Sequence, residues 1–524
     1  MLKSKEELLE LYNIITKDKG KPLDHWEITA LLETYGLRDV DALNEYGVEN
    51  LFELADYLVP FINTRDDYKL HSIQTIHESN IYKRVFSNYI KGLAFSVPML
   101  IQIISTLAVG YALWSSIHAS NASATAVSLG TFAALVVTGG SVQAIGRKGL
   151  FYYKMGENVL TKNVTLLLYG IGVALIVFFL LFMSVVNFFF NIYPLDLYLM
   201  SMGYYLLLAL FFLTLSIFYI FEDYLSIVLV TFAGLLFVYL FRTVFHNSLV
   251  SSQMYGLIML NIFVMFVAFV KLLRLKDKNG SAEGANLPKA SILFYSLLPY
   301  YGYGLFYFSF LIVDRIIAWS ADVAHNPYIV WFNVSYELGL DWALISLVLM
   351  MGITEVSIAE FMYRLNDRVV KRSFLEAEAF SKEIYQFFKK FNIAFMLFSI
   401  LVILATFFFM YYLHVNLRIE FVENFIRQPT IAIFIIASIA YFLLVNSLMN
   451  ILLMFSLSRH HVPVKAVGYG LFVNIFVGMI LSRAFGYEYA VVGLLLGSLV
   501  LWIVVFREIM AMFKNLDYYY YSAY

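Results

Sequence analysis

A chain of 524 residues that is 61% hydrophobic, 18% aromatic and 14% charged, with a mean hydropathy of +0.76, lies well outside the composition of soluble globular proteins, about 25% of whose residues are charged. It reads as an all-α polytopic membrane protein, because apolar runs of roughly 20 residues cross a bilayer one after another and need only one lipid-embedded bundle. A formal net charge of −1 excludes a strongly basic nucleic-acid binder, and the lack of cysteine excludes disulfides, thiolate metal sites and thiol nucleophiles.

Residues 1–90 are predicted to be a small, acidic, cytoplasmic helical region. Up to Lys91 the chain carries 11 Lys and Arg against 16 Asp and Glu. Helical spacing is visible in Leu8, Leu9, Tyr12 and Ile15, and again in Val48, Leu51, Leu54, Ala55 and Leu58. Asp24 followed by Glu27 predicts an N-cap and capping box for a helix carrying Trp26, Ile28, Leu31 and Leu32. The charged stretch from Lys3 to Glu10 lacks the apolar core of a signal peptide.

From Gly92 onward twelve spans are predicted, near 93–115, 123–145, 164–189, 199–220, 225–245, 253–273, 291–313, 340–361, 391–413, 430–457, 464–482 and 488–506. A polar linker over 274–290, with Lys276-Asp277-Lys278-Asn279-Gly280, divides them into six-helix lobes at 91–273 and 291–510, and a cytoplasmic tail follows at 511–524. Two six-helix halves are the layout of transporters that rock one half against the other, although no internal sequence repeat is visible. Loops after even-numbered spans hold 20 Lys and Arg and loops after odd-numbered spans hold 5. Both termini are therefore predicted to face the cytoplasm. The weak point is the loop at Glu222-Asp223, which should lie inside yet has no basic residue.

Span 7 departs most from a plain lipid-facing helix. Pro299, Gly302 and Gly304 predict a kink or break. At 100° per residue, Ser296, Tyr300, Tyr303, Tyr307 and Asp314 fall within about 60° of one another. Such a face offers rings for a sugar to stack on, with hydroxyls and a carboxylate to hydrogen-bond it. Packing alone also produces stripes of this kind in a chain with 39 tyrosines. Glu355 lies within span 8, where an unpartnered charge costs at least ~2.5 kcal/mol. It is a candidate ion-coupling carboxylate, or else a residue of the inner interface paired with a base such as Arg364. The stretch from Arg364 to Lys390, with Arg368, Lys371 and Arg372 ahead of Leu375, Phe380, Ile384 and Phe388, predicts an amphipathic cytoplasmic helix that could dock on anionic membrane lipids. Polar residues inside spans, Gln102, Asn261, Asn446, Asn450 and Asn474 among them, read as helix-to-helix hydrogen bonds. No nucleotide-binding loop, metalloprotease pair, nucleophile elbow or dinucleotide fingerprint is present, so no enzymatic activity and no cofactor is expected. His460-His461 lacks the further ligands that a zinc site needs.

The run Gly304-Leu305-Phe306-Tyr307, followed by Asp314-Arg315-Ile316-Ile317-Ala318-Trp319, resembles the G-L-x-Y-x6-D-[KR]-x-I-x-W pattern of PelG-type exopolysaccharide exporters. Thr138-Gly139 with Gln143 and Arg147 in span 2 is similar to a second segment of that family, with the Gln offset by about one position. These exporters belong to the multidrug, oligosaccharidyl-lipid and polysaccharide (MOP) flippase superfamily. The resemblance covers roughly residues 90 to 510 and implies a MATE/MOP-like fold of two lobes, an export role, and Gln143 and Arg147 as further substrate-path candidates. It also implies work alongside a cytosolic glycosyltransferase and small membrane subunits. The first 80 residues have no counterpart in the pattern, and no catalytic residue is carried over.

The resulting expectation is a cytoplasmic-membrane protein that moves a polysaccharide or lipid-linked glycan outward by alternating access. The alternatives are a cation-coupled multidrug-type exporter, a membrane-embedded glycosyltransferase, and a structural scaffold of a secretion assembly.

Overall fold

The computed structural model describes residues 5–16, 22, 24–63, 81–94, 96–116, 119–275, 288–322, 326–369, 377–417 and 428–521. Among them the protein is helical, with no strand beyond one isolated bridge between Tyr111 and Ser116. The helices are α1 (Lys5–Thr16), α2 (His25–Thr34), α3 (Leu51–Leu58), α4 (Ile81–Ala94), α5 (Val97–Val109), α6 (Asn121–Lys154), α7 (Asn158–Phe190), α8 (Leu195–Ile220) and α9 (Tyr224–Thr243). They continue with α10 (Leu249–Leu273), α11 (Ala290–Trp319), α12 (Val334–Val369), α13 (Ala377–Leu417), α14 (Thr430–Ser456), α15 (His461–Phe485) and α16 (Ala490–Phe513). Eleven of these are long and apolar enough to cross a bilayer, or twelve if α4 and α5 form one bent span.

The first predicted span, 93–115, is not a single straight helix, since α4 and α5 meet at 73°. Pro98 at the start of α5 explains the break: it has no N–H to continue the preceding turn but suits the first turn of a new helix. The amphipathic stretch expected over 364–390 is helical over its described part, with Phe380, Ile384 and Phe388 buried, but it is not a separate element. α12 runs to Val369 and α13 starts at Ala377 and continues through the ninth span, because no Gly or Pro interrupts its 41 residues. Arg364 lies 4.0 Å over the Phe387 ring. Lys371, Arg372 and Leu375 of that stretch, and Lys276 to Gly280 of the linker, lie outside the described residues.

Contacts divide the chain into two compact units, Met1–Phe86 with Ala359–Lys389, and Ser87–Ile358 with Lys390–Tyr524. In the first unit, Asp24 accepts the Glu27 N–H at 3.0 Å, as the spacing predicted, and Asn50 caps α3 in the same way through Glu53 at 2.9 Å. The apolar stripes of α1, α2 and α3 meet through Leu8, Ile15, Ile28, Leu32, Leu54 and Leu58. Each such buried side chain stabilises the unit by about 1.5–3 kcal/mol. Arg84 makes a two-pronged pair with Glu360, at 2.5 and 2.9 Å, and lies 4.2 Å over the Tyr363 ring.

The second unit holds the membrane bundle. In the first lobe, Tyr204, Tyr205, Phe211 and Phe218 of α8 are fully buried against α6 and α7. Small residues set the close crossings, as expected where lipid gives helices no hydrophobic reason to associate. A Cβ at Gly130 would fall 2.9 Å from the backbone nitrogen of Tyr205. The loop at Glu222-Asp223 obtains its missing cations from its neighbours: Lys154 pairs with Glu222 at 2.6 Å, and Lys271 pairs with Asp223 and bonds Ser226 at 2.8 Å. The loops after the second, fourth and sixth spans thus gather at one end of the lobe.

Candidate functional site

α11 is the helix on which the two lobes meet. Its crossing with α6 is so close that a Cβ on Gly304 would overlap the Gly139 carbonyl and lie 2.9 Å from Gln143 Cγ. A Cβ on Gly139 would in turn fall 2.9 Å from the Gly304 carbonyl oxygen. α11 also runs helically through Pro299. The carbonyl that loses its donor there is tolerable in a membrane helix enclosed by neighbours.

Around this crossing the five residues of the predicted α11 face occupy different surroundings. The Ser296 hydroxyl donates to the Leu293 carbonyl at 3.0 Å. Tyr300 is buried, its ring 5.3 Å from Phe455 and 5.5 Å from His460. Tyr303 is buried edge-on to Phe455 at 5.0 Å and stacks on Tyr307 at 5.9 Å with an interplanar angle of 14°. Tyr307 is half-buried. From the first lobe, Gln143 is half-buried beside Gly304, and exposed Arg147 holds its guanidinium 5.3 Å over the Tyr300 ring. The structure therefore brings Arg147 to Tyr300 and Gln143 to Gly304 at the α6–α11 crossing, while Tyr303 and Tyr307 stack on each other with Tyr303 against Phe455 of α14.

Asp314 stands farther along α11, fully buried, in a charged network that sequence reasoning did not assemble. Its Oδ2 accepts the Tyr336 hydroxyl at 2.9 Å, and its Oδ1 has no hydrogen-bond partner among the described residues. Arg315 pairs with buried Glu337 and reaches Asp341 at 3.3 Å. The Trp319 indole lies next to Glu337 and packs on Phe132 of α6 at 5.4 Å and on Phe332 at 5.1 Å. The D-R-x-I-x-W run thus ties α11 to α12 and to the first lobe. Buried Glu337 and exposed Asp341 share one guanidinium, with buried Asp314 beside it in the chain, so the acidic groups of the network outnumber its single base. The i, i+4 spacing of Glu337 and Asp341 at the start of span 8 was the available signal. Hydropathy hides the pair, because the predicted span begins at 340 whereas α12 begins at Val334. Beyond this network the lobes are joined again: Thr125 Oγ1 accepts the Phe332 N–H at 3.1 Å and the Tyr193 hydroxyl donates to the Val330 carbonyl at 2.8 Å.

Glu355 stands apart from both groups. It is half-buried where α4 crosses α12, at a contact so close that a Cβ on Gly92 would meet Glu355 Cβ at 2.9 Å. The charged groups that act on it are Lys91 and Glu222, which places it at the end of the bundle where the basic loops gather. Among the described residues no group of three His, Asp or Glu is arranged to hold a metal ion.

No family model and no curated protein matches the chain. Solved structures do resemble it. One is described as the outward-facing conformation of a multidrug resistance MATE family transporter of the MOP superfamily, with a TM-score of 0.57 at 15% identity over 84% of this chain and 97% of the other. A MATE in the bent conformation gives 0.56 at 13% identity over 84% and 97%. The Vibrio cholerae MATE transporter VcmN in the bent form gives 0.53 at 13% identity over 84% and 98%. At these identities the likeness establishes a MATE-like fold.

Proposed function

We propose that this protein exports a polysaccharide or lipid-linked glycan across the cytoplasmic membrane, by alternating access between its two lobes. The observation that carries the reading is the α6–α11 crossing, where Arg147 from one lobe lies over Tyr300 from the other and Gln143 lies beside Gly304, with the stacked pair Tyr303 and Tyr307 farther along α11. Stacked phenol rings beside amide and guanidinium donors suit a polyhydroxylated chain, whose sugars have one apolar face and a hydrogen-bonding rim. The motif resemblance to PelG-type exporters supports the same substrate class, and the MATE-like fold supports alternating access.

Movement of the lobes needs a driving cation or the substrate's own gradient, since the sequence has no nucleotide-binding loop. Asp314 with Glu337 is the coupling site we favour over Glu355. Both carboxylates are buried, Asp314 on α11, where the lobes meet, and Glu337 on the neighbouring α12, and a bound proton would neutralise what Arg315 leaves uncompensated. The acidic N-terminal helices then serve to dock a cytosolic glycosyltransferase, and both chain ends face the cytoplasm. The test is glycan export from cells carrying Tyr307→Ala, Asp314→Asn or Glu355→Gln at matched abundance. Loss of export in the first two, with Glu355→Gln active, supports the reading. Full export by Tyr307→Ala and Asp314→Asn removes the α11 face from the pathway. A cation-coupled multidrug exporter is the second reading, favoured by the description of one structural neighbour, and dye efflux with no glycan export would establish it.

A further inference from the structure

Over residues 24–63 the chain holds nine Asp and Glu against one Arg, a net charge of −8. That one base, Arg38, is paired with Asp41 at 3.3 Å. Within this stretch α2 turns Ile28, Leu31 and Leu32, and α3 turns Leu51, Leu54 and Leu58, into the core of the N-terminal unit. Trp26 and Phe52 lie outside that core. Their rings meet edge-on at 5.0 Å, yet the two residues stay 47% and 43% exposed. Two large aromatic residues in contact and half in water form an apolar step that the core does not use. At 100° per residue, Glu33 falls about 20° from Trp26 around α2 and Asp56 about 40° from Phe52 around α3. Both acids are exposed, as are Glu27 in the first turn of α2 and Glu49 just ahead of α3.

We propose that Trp26 and Phe52, rimmed by Glu27, Glu33, Glu49 and Asp56, are a docking surface for a basic amphipathic helix of a protein partner. This deepens the docking role assigned above to the N-terminal helices and rests on that reading. Paired aromatic rings give a partner's apolar side chains a rigid area to cover, and Trp is among the residues that most often anchor such contacts. The acidic rim selects Lys and Arg around that apolar centre and speeds the encounter. An Arg of the partner can also lie over the Trp26 indole.

Charge decides among the occupants that exposed aromatic rings can take. A membrane surface is the usual destination of exposed Trp and Phe. The inner leaflet, however, is anionic and attracts basic segments, so a stretch with a net charge of −8 is repelled by it. A second copy of the chain would bring acid against acid, and like charges set against each other oppose association. Nucleic acid is excluded for the same reason. A basic partner gains from the rings and from the rim together.

The test uses the full chain in nanodiscs of zwitterionic lipid, with a fluorescein-labelled amphipathic helix of Leu and Lys as the probe, read by fluorescence anisotropy against empty nanodiscs. A second probe carries Glu in place of every Lys. Saturable binding of the Leu/Lys helix above the empty-disc level is expected, and none of the Leu/Glu helix. Trp26→Ala and Phe52→Ala should each weaken binding about tenfold, and Trp26→Phe less. Because both rings are exposed, thermal unfolding of these variants should stay at the wild-type temperature, which separates a lost contact from a lost fold. Glu33→Gln with Asp56→Asn should weaken binding several-fold at low salt and flatten its salt dependence. Ile14→Ala, at an exposed apolar position of α1, should leave it unchanged. Equal binding of the two probes, or wild-type binding by the Trp26→Ala, Phe52→Ala double variant, overturns the proposal. So does a dye on Phe52→Cys that reports an apolar setting in anionic nanodiscs without peptide, which assigns the surface to the membrane, or a disulfide between copies at that position, which assigns it to self-association. No peptide binding by a chain that still exports glycan defeats this inference alone, whereas peptide binding by a chain that exports none defeats the export reading beneath it.

Discussion

Replacing Gly304 with Ala places one methyl group at the narrowest point between the lobes. The new Cβ would overlap the Gly139 carbonyl and lie 2.9 Å from Gln143 Cγ. The first neighbour is helix backbone and cannot turn aside, so α6 and α11 must separate. Forcing a methyl into a packed interface costs about 1–3 kcal/mol. The substitution also removes a glycine from a helix interior, which returns up to about 1 kcal/mol. Gly170 of α7 separates the two effects, because a Cβ there meets nothing within 4 Å. Gly170→Ala should therefore be neutral or stabilising by up to about 1 kcal/mol. The assay is thermal unfolding of the purified protein in nanodiscs, with the wild type, Gly170→Ala and Gly304→Ala compared under one lipid composition. Gly304→Ala should fall below the wild type and Gly170→Ala should not. If the two alanine variants unfold at the same temperature, the close crossing is not a stability determinant and the packing argument fails.

Three further outcomes are expected. Arg84→Gln strands the buried Glu360 carboxylate, whose side chain is 4% exposed, and should destabilise by about 3–5 kcal/mol. Adding Glu360→Gln should recover much of that loss, and chemical denaturation would show whether it does. Because His460 titrates below its ordinary 6.5 when folded, the unfolded chain binds more protons just below that pH. Its contribution to stability should be complete above 6.5 and decline as pH falls below it, and His460→Gln should flatten that part of the stability–pH curve. Tyr336→Phe removes the hydroxyl that Asp314 accepts at 2.9 Å; the pH profile of transport should shift while abundance stays near normal, and an unmoved profile would separate Asp314 from coupling.

The span pattern was legible because each apolar run of roughly 20 residues carries its own signal. The N-cap at Asp24 was equally local, four residues deciding one hydrogen bond. Partnerships across helices left weaker traces. Arg315 was visible beside Asp314, but its counter-ion Glu337 stands 22 residues away on another helix, and nothing in the spacing alone selects that pair. The α11 tyrosines show the limit of a face argument. The 100° rule placed them on one side, yet Tyr300 and Tyr303 are set against Phe455 of α14, a neighbour that periodicity does not specify. The α4–α5 break could have been found from Pro98, whereas the continuity of α13 past the basic stretch needed the absence of breakers to outweigh a change in polarity.

The borrowed cations at Glu222 and Asp223 bear on how the bundle is assembled. A hairpin whose turn has two acids and no base gives the insertion machinery no charge signal of its own. Lys154 is synthesised well before that turn, whereas Lys271 emerges 48 residues after Asp223. The α8–α9 hairpin therefore enters the bilayer with one counter-ion already in place and acquires the second only when α10 is complete. Its orientation is inherited from neighbours that arrive on either side of it, so a charge lost at position 154 or 271 would register as misinserted protein before any transport defect could be measured.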